Sequence, residues 1–198
     1  MKSLLLVAFV LTMAVEASGQ TAGTAAAEPE CELTIKQSPT IRGIRLGMTL
    51  EEALDQFPGI KESGLSQSTD KFGLSSARIL ADQYPDKERL KGVQFIYLQL
   101  FDNRIFSFSV HYAGPEWRGV DEFISRLSGP LKLPAANHWE PYHSSSHQKT
   151  LNCQGWKITA STSGSSSSIT VFSEAAIDKI VEERREAEKE KKRQAFKP

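Results

Sequence analysis

Apolar residues recur along this chain at two spacings, and the two spacings alternate. Leu50, Ala53, Leu54 and Phe57 fall at i, i+3, i+4 and i+7, the single stripe of an amphipathic helix. Thr49 stands at the N-cap and Glu52 three residues on, a capping box in which two side chains satisfy two backbone donors that the helix cannot. Glu51 and Glu52 put negative charge at the positive end of the helix dipole, and Pro58-Gly59 stops the run. The whole unit, Ile41–Gly59, predicts a strand-like lead-in, a glycine elbow and a helix of two to three turns. A helix that short does not hold alone in water, so it must dock on something. Val120, Phe123, Ile124 and Leu127 repeat the stripe between Gly119 and Pro130, with Asp121 and Glu122 in its first turn.

Between and after these helices the period changes to two. Cys31–Gln37 alternates Leu33 and Ile35 with polar neighbours, and Ser76–Leu80 is extended. Val93–Tyr112 holds two alternating runs around Asp102-Asn103, a pair suited to the positive φ angles of a type I′ hairpin turn. That register pairs Phe101 with Arg104, Gln99 with Phe106, Tyr97 with Phe108, Phe95 with Val110 and Val93 with Tyr112. One face then carries Val93, Phe95, Tyr97, Phe106, Phe108, Val110 and Tyr112 and is expected to be core. The other carries Ile96, Leu98, Leu100 and Ile105 near the turn, with Gln94, Ser107, Ser109 and His111 as the rest, and its apolar part is expected to meet a partner. A second hairpin is expected from Thr150–Ser161 and Ser168–Phe172, joined by the loop Thr162–Ser167. The apolar phase slips between Cys153 and Trp156, which predicts a β-bulge at Gln154-Gly155. Trp156, in phase with Ile158, reads as core, and Trp139 as a loop anchor.

The expected fold is α+β: an antiparallel sheet with two short helices packed on one face, plus a charged C-terminal helix over residues 173–198. Helix-then-hairpin occurs at 41–112 and again at 119–172. That pattern is met both by two degenerate repeats and by independent recurrence of common elements. Residues 31–172 form a single domain on this reading.

Composition changes the picture mainly through compartment. Met1–Ala17 has the short basic start, apolar stretch and small residues of a secretory signal peptide, with cleavage as late as Gly19. Residues 18–30 form a small, polar tail, and no later stretch is apolar enough to span a membrane. Cys31 and Cys153 are the two cysteines; in an exported chain an even pair predicts one disulfide, the alternative being two buried thiols. Glu30 precedes Cys31, so there is no lipobox. Lysine plus arginine and aspartate plus glutamate number 24 each, a balance that argues against nucleic acid as partner.

The search for chemistry returns little. His138, His143 and His147 surround Glu140 with an H-x3-H spacing that would suit zinc on a helix, but Pro141 and the serines argue for a loop. There is no G-x-S-x-G elbow and no glycine-rich phosphate loop. Glu51/Glu52 and Asp121/Glu122 are adjacent in sequence and point differently around a helix, so helix-end charge accounts for them. No catalytic residue, cofactor or metal is expected.

The segment Gly47-Met48-Thr49-x-x-Glu52-Ala53 resembles the G-M-T-x-x-[EQ]-[VA] segment of the small outer-membrane assembly lipoproteins (BamE/SmpA/OmlA-like) and the wider group of β-lactamase-inhibitory-protein-like domains. The resemblance implies short helices against an antiparallel sheet and a role in binding proteins without catalysis. The missing lipobox, the long insert after Gly59 and the charged C-terminal helix depart from that family. The expectation is therefore an exported, non-catalytic protein-binding or envelope-associated scaffold module, its partner another envelope or secreted protein. The alternative is a small secreted hydrolase or a metal- or ligand-binding protein using the His138–His147 loop.

Overall fold

A computed structural model describes residues 31–60, 65–69, 74–114 and 117–195. The expected signal peptide and N-terminal tail lie outside the described residues. In chain order the elements are β1 (Cys31–Thr34), α1 (Leu50–Leu54), β2 (Leu65–Thr69), β3 (Ser75–Leu80), β4 (Val93–Phe101), β5 (Arg104–Ala113), α2 (Val120–Leu131), β6 (Glu140–Pro141), β7 (Gln148–Gln154), β8 (Trp156–Ser163), β9 (Ser166–Ser173) and α3 (Glu174–Ala195).

The strands form one 9-stranded sheet in the order β1-β7-β8-β9-β5-β4-β3-β2, with the short β6 also paired to β7. All described pairings are antiparallel except β1 on β7, so the expected antiparallel sheet is in fact mixed and dominates the fold. Strand β2 had no counterpart in the sequence pattern, because Leu65–Thr69 (LSQST) lacks alternation. The N-terminal strand is shorter than expected: after Thr34 the chain turns through a 3-10 turn at Ile35–Gln37.

Topology groups the chain into two similar runs. Helix α1 leads into the β3-β4-β5 meander and α2 into the β7-β8-β9 meander, and the final strand of each, β5 and β9, pair antiparallel along the middle of the sheet.

Both helices are placed by the residues that predicted them. Glu52 N–H donates to Thr49 Oγ1 (3.1 Å) and Thr49 N–H to Glu52 Oε2 (2.8 Å), closing the capping box. The α-helical part of α1 is only five residues; Phe57 follows on a tighter turn, its N–H bonded to Leu54 O. Gly47 has φ +81 and exchanges into the sheet, its N–H reaching Ile105 O at 2.8 Å. Buried Ala53 and Phe57, with Val120, Phe123 and Ile124 of α2, belong to the same apolar cluster as the sheet residues Ile79, Ile96, Leu98, Leu100, Phe108, Val110, Ile158 and Val171. Trp156 is fully buried and its indole N–H is shared between Leu33 O and Thr34 O at 3.0 and 3.1 Å.

The β4–β5 hairpin corrects the expected register. The Asp102-Asn103 turn forms with φ +49 and +59, and Phe101 pairs with Arg104 as expected. Leu100 then pairs with Ile105 and Gln99 with Ser107, which leaves Phe106 as an extra residue on β5. Past this bulge every partner moves by one: Leu98 faces Phe108, Tyr97 faces Ser109, Ile96 faces Val110 and Phe95 faces His111. A second irregularity around Gln94 restores Val93 opposite Tyr112. The bulge turns β4 over but leaves β5 past it as expected: Phe108 and Val110 are buried in the core, and so is Val93. Ile96, Leu98, Leu100 and Ile105, expected to meet a partner, are 0–1% exposed and form core. Phe95, Tyr97 and Phe106, expected in the core, are partly exposed on the far side.

The second β region is corrected too. Cys153 pairs with Trp156, so Gln154-Gly155 is a two-residue turn between β7 and β8, with Gly155 at φ +78, and no bulge. The phase slip in the apolar pattern marked a reversal of the chain. Likewise the serines of Thr162–Ser167 extend β8 and β9, whose turn is reduced to Gly164-Ser165.

Cys31 and Cys153 are disulfide-bonded with their Cα atoms 4.5 Å apart, on directly paired positions of β1 and β7. The bridge closes a loop with a sequence separation of 122. In the described chain no helix is long and apolar enough to cross a membrane.

Candidate binding surface

With α1 and α2 on one face of the sheet, strand alternation sends every second residue of β3, β4, β5, β9 and β8 to the other face. Strand register aligns these residues in ranks. One rank runs Arg78, Tyr97, Ser109, Thr170, Thr159 and Thr150 across six strands, and the neighbouring one runs Phe95, His111, Ser168, Ser161 and Gln148 across five. The Thr150 and Thr159 hydroxyls are bonded at 2.9 Å.

At the β3–β5 side three side chains stack. The Arg78 guanidinium lies 3.9 Å from the Phe95 ring centroid, and Phe95 stacks on His111 with centroids 4.1 Å apart and planes inclined by 19°. Ser109 Oγ and His111 Nε2 are 3.0 Å apart. Partial burial, and then the positive charge of Arg78, lower the His111 pKa, so the ring in this stack is neutral at neutral pH. Tyr97 and Phe106, with Gln99, Ser76 and Leu74, border a shallow groove of about 210 Å³ on the same face.

The opposite end of this face is occupied by α3. Ser173 Oγ accepts from Ala176 N–H at 3.3 Å, capping the helix. Glu174 pairs with Lys157 of β8 at 2.7 Å. Lys179 reaches Asp102 of the hairpin turn at 2.7 Å and lies 5.0 Å from the Phe101 ring. Ile180 is the last buried residue; every described residue beyond it is exposed.

Ser109 and His111 together have the composition of a nucleophile–base pair. They are neighbours because i and i+2 share a strand face, and the surrounding β5 amides are committed to the ladders with β4 and β9.

The remaining expected sites are dispersed or structural. His147 borders a cleft with Trp117, His138 borders another with Leu133, and His143 sits edge-on to Tyr142 at 4.2 Å. The H-x3-H spacing therefore does not assemble a ligand set, and among the described residues no group of three or more His, Cys, Asp or Glu side chains is placed to hold a metal ion. Asp121 pairs with Lys149 at 2.6 Å and Glu122 accepts from Arg118 N–H at 3.0 Å, so both acids of the second pair are structurally engaged, as Glu52 is in the capping box of α1. The sequence pattern gave Arg78 no face and placed Phe95 in the core, whereas His111 was expected opposite the aromatic core face and lies there, beside Phe95. Trp139 is buried and its indole N–H reaches Pro134 O at 3.1 Å, the loop anchor expected.

Comparison with protein-family models, with curated proteins and with solved structures finds no match to this chain.

Proposed function

We propose that the protein is an exported, non-catalytic binding module whose uncovered sheet face engages another protein of the envelope or the secreted space. The observation that carries this reading is the Arg78–Phe95–His111 stack with Tyr97 and Phe106 beside it, aromatic and arginine side chains left partly exposed on a regular strand scaffold. Tyrosine, tryptophan and arginine dominate the energetics of protein interfaces because each combines large contact area with a polar handle. The Cys31–Cys153 bridge supports an oxidising compartment. The likeness of the Gly47–Ala53 segment to the outer-membrane assembly lipoproteins supports the same class of role.

The test is site-specific photocross-linking in the native host. A benzophenone side chain at position 97 should give one discrete adduct, and the same group at position 51, on the helix side, none. Phe95→Ser should remove the adduct while the thermal transition is retained. Equal adducts from both positions would overturn the reading.

A further inference from the structure

A second concave site lies where the sheet ends against the start of α2. It is a cleft of about 670 Å³ formed by Trp117 and Arg118, by Ser145–Gln148 ahead of β7, and by Ser161–Gly164 at the β8–β9 turn. That volume is in the range of small-molecule sites. Its walls are tied together. Thr162 N–H donates to His147 O at 2.9 Å, Gly114 N–H to Ser165 O at 3.0 Å, and the Trp117 indole N–H to Ser167 Oγ at 3.3 Å. The cleft is thus held open by hydrogen bonds from three separate segments rather than by one loop.

Its lining is chemically one-sided. Arg118 and His147 line it, and no carboxylate appears among the described lining residues. Glu122 is turned to the Arg118 backbone N–H, and Asp121 to Lys149, so both acids in the first turn of α2 are engaged elsewhere. Serine hydroxyls from both walls and the Gln148 amide supply donors and acceptors together. A bare inorganic anion needs donors only, whereas a hydroxyl-bearing ligand uses both. The indole of Trp117, backed by Phe123 at 5.5 Å, adds an apolar plane.

We propose that this cleft binds a sugar acid: a pyranose ring carrying a carboxylate. Trp117 meets the apolar face of the ring, Arg118 the carboxylate, and His147 with the serines the ring hydroxyls. This site is separate from the Arg78–Phe95–His111 stack, and its fate does not depend on that reading.

The experiment is a titration of the isotope-labelled full chain with sodium glucuronate, glucose and sodium sulfate, followed by amide and indole nuclear magnetic resonance shifts. Glucuronate is expected to give saturable shifts at the Trp117 indole N–H and at Ser161–Gly164, with glucose at least about tenfold weaker, the loss expected for one charge-assisted contact. Arg118→Met, at an exposed side chain, should bring glucuronate to the level of glucose with the rest of the spectrum unchanged. Trp117→Ala should weaken both sugars. Absence of saturable shifts, sulfate shifts equal to those of glucuronate, or an Arg118→Met variant with unaltered glucuronate binding would each overturn the proposal.

Discussion

Gly47, Thr49 and Glu52 show how three side chains fix the entry of the chain into the fold. Gly47 adopts φ +81 with open space where a Cβ would stand, so its requirement is conformational and not steric crowding. Gly47→Ala should cost about 1–2 kcal/mol, the usual cost of a left-handed L-residue, and Thr49→Ala about 1 kcal/mol for the lost cap, both read from urea midpoints. Leu98 is a sharper case. It is fully buried beneath the helices, so Leu98→Asp places an unpaired charge in the core and should abolish the cooperative thermal transition. Phe95→Ser, one strand face away, should leave that transition in place. His111 binds its proton less readily in the fold than in the unfolded chain, because burial and Arg78 disfavour the charged ring. The unfolded state then holds more protons, and stability rises with pH. It should be full above pH about 6.5 and fall as the pH drops through the lowered folded value. Arg78→Gln should flatten that decline, and His111→Gln should remove its share, as measured by denaturant midpoints between pH 5 and 7.

At the scale of elements, the docking of β1 and α3 differs in kind. β1 is a four-residue strand at the sheet margin, held by the disulfide and by the Trp156 indole. Closing a loop of more than 100 residues in the unfolded chain is worth about 4–5 kcal/mol on the chain-entropy model, so reduction should lower the midpoint by a comparable amount. α3 docks through its first two turns alone. Beyond Ile180 its helix is polar all round and carries pairs such as Arg185–Glu182, Lys189–Glu186 and Lys192–Glu188, each exposed and individually weak. Truncation after Val181 should therefore leave the unfolding midpoint within about 0.5 kcal/mol of the full chain, whereas Ile180→Asp should lower it distinctly.

The molecule as a whole is a sheet with one face closed by helices and one face left largely open, and both proposed sites follow from that division. The stack on the open face is made by register, since Arg78, Phe95 and His111 come from three strands. The cleft is made at the sheet's end, where α2, the segment before β7 and the β8–β9 turn converge. The helix stripes, the capping box, the Asp102-Asn103 turn and the pairing of the two cysteines were legible in the chain, because each depends on residues close in sequence or on a choice with few alternatives. The face of β4 was not. A single extra residue at Phe106 turns β4 over against β5, so Ile96, Leu98 and Leu100 go inside and Phe95 and Tyr97 outside, while Phe108 and Val110 stay inside. The choice is decided by what lies above each face: Ile96, Leu98 and Leu100 bring only apolar side chains beneath α1 and α2, while the far face carries Ser109 and His111, whose polar atoms are bonded to each other. Local spacing determined which segments are helix and strand. Only the packing of helices against one side of the sheet decided which residues became core and which stayed partly exposed, because that choice belongs to contacts between segments far apart in the chain.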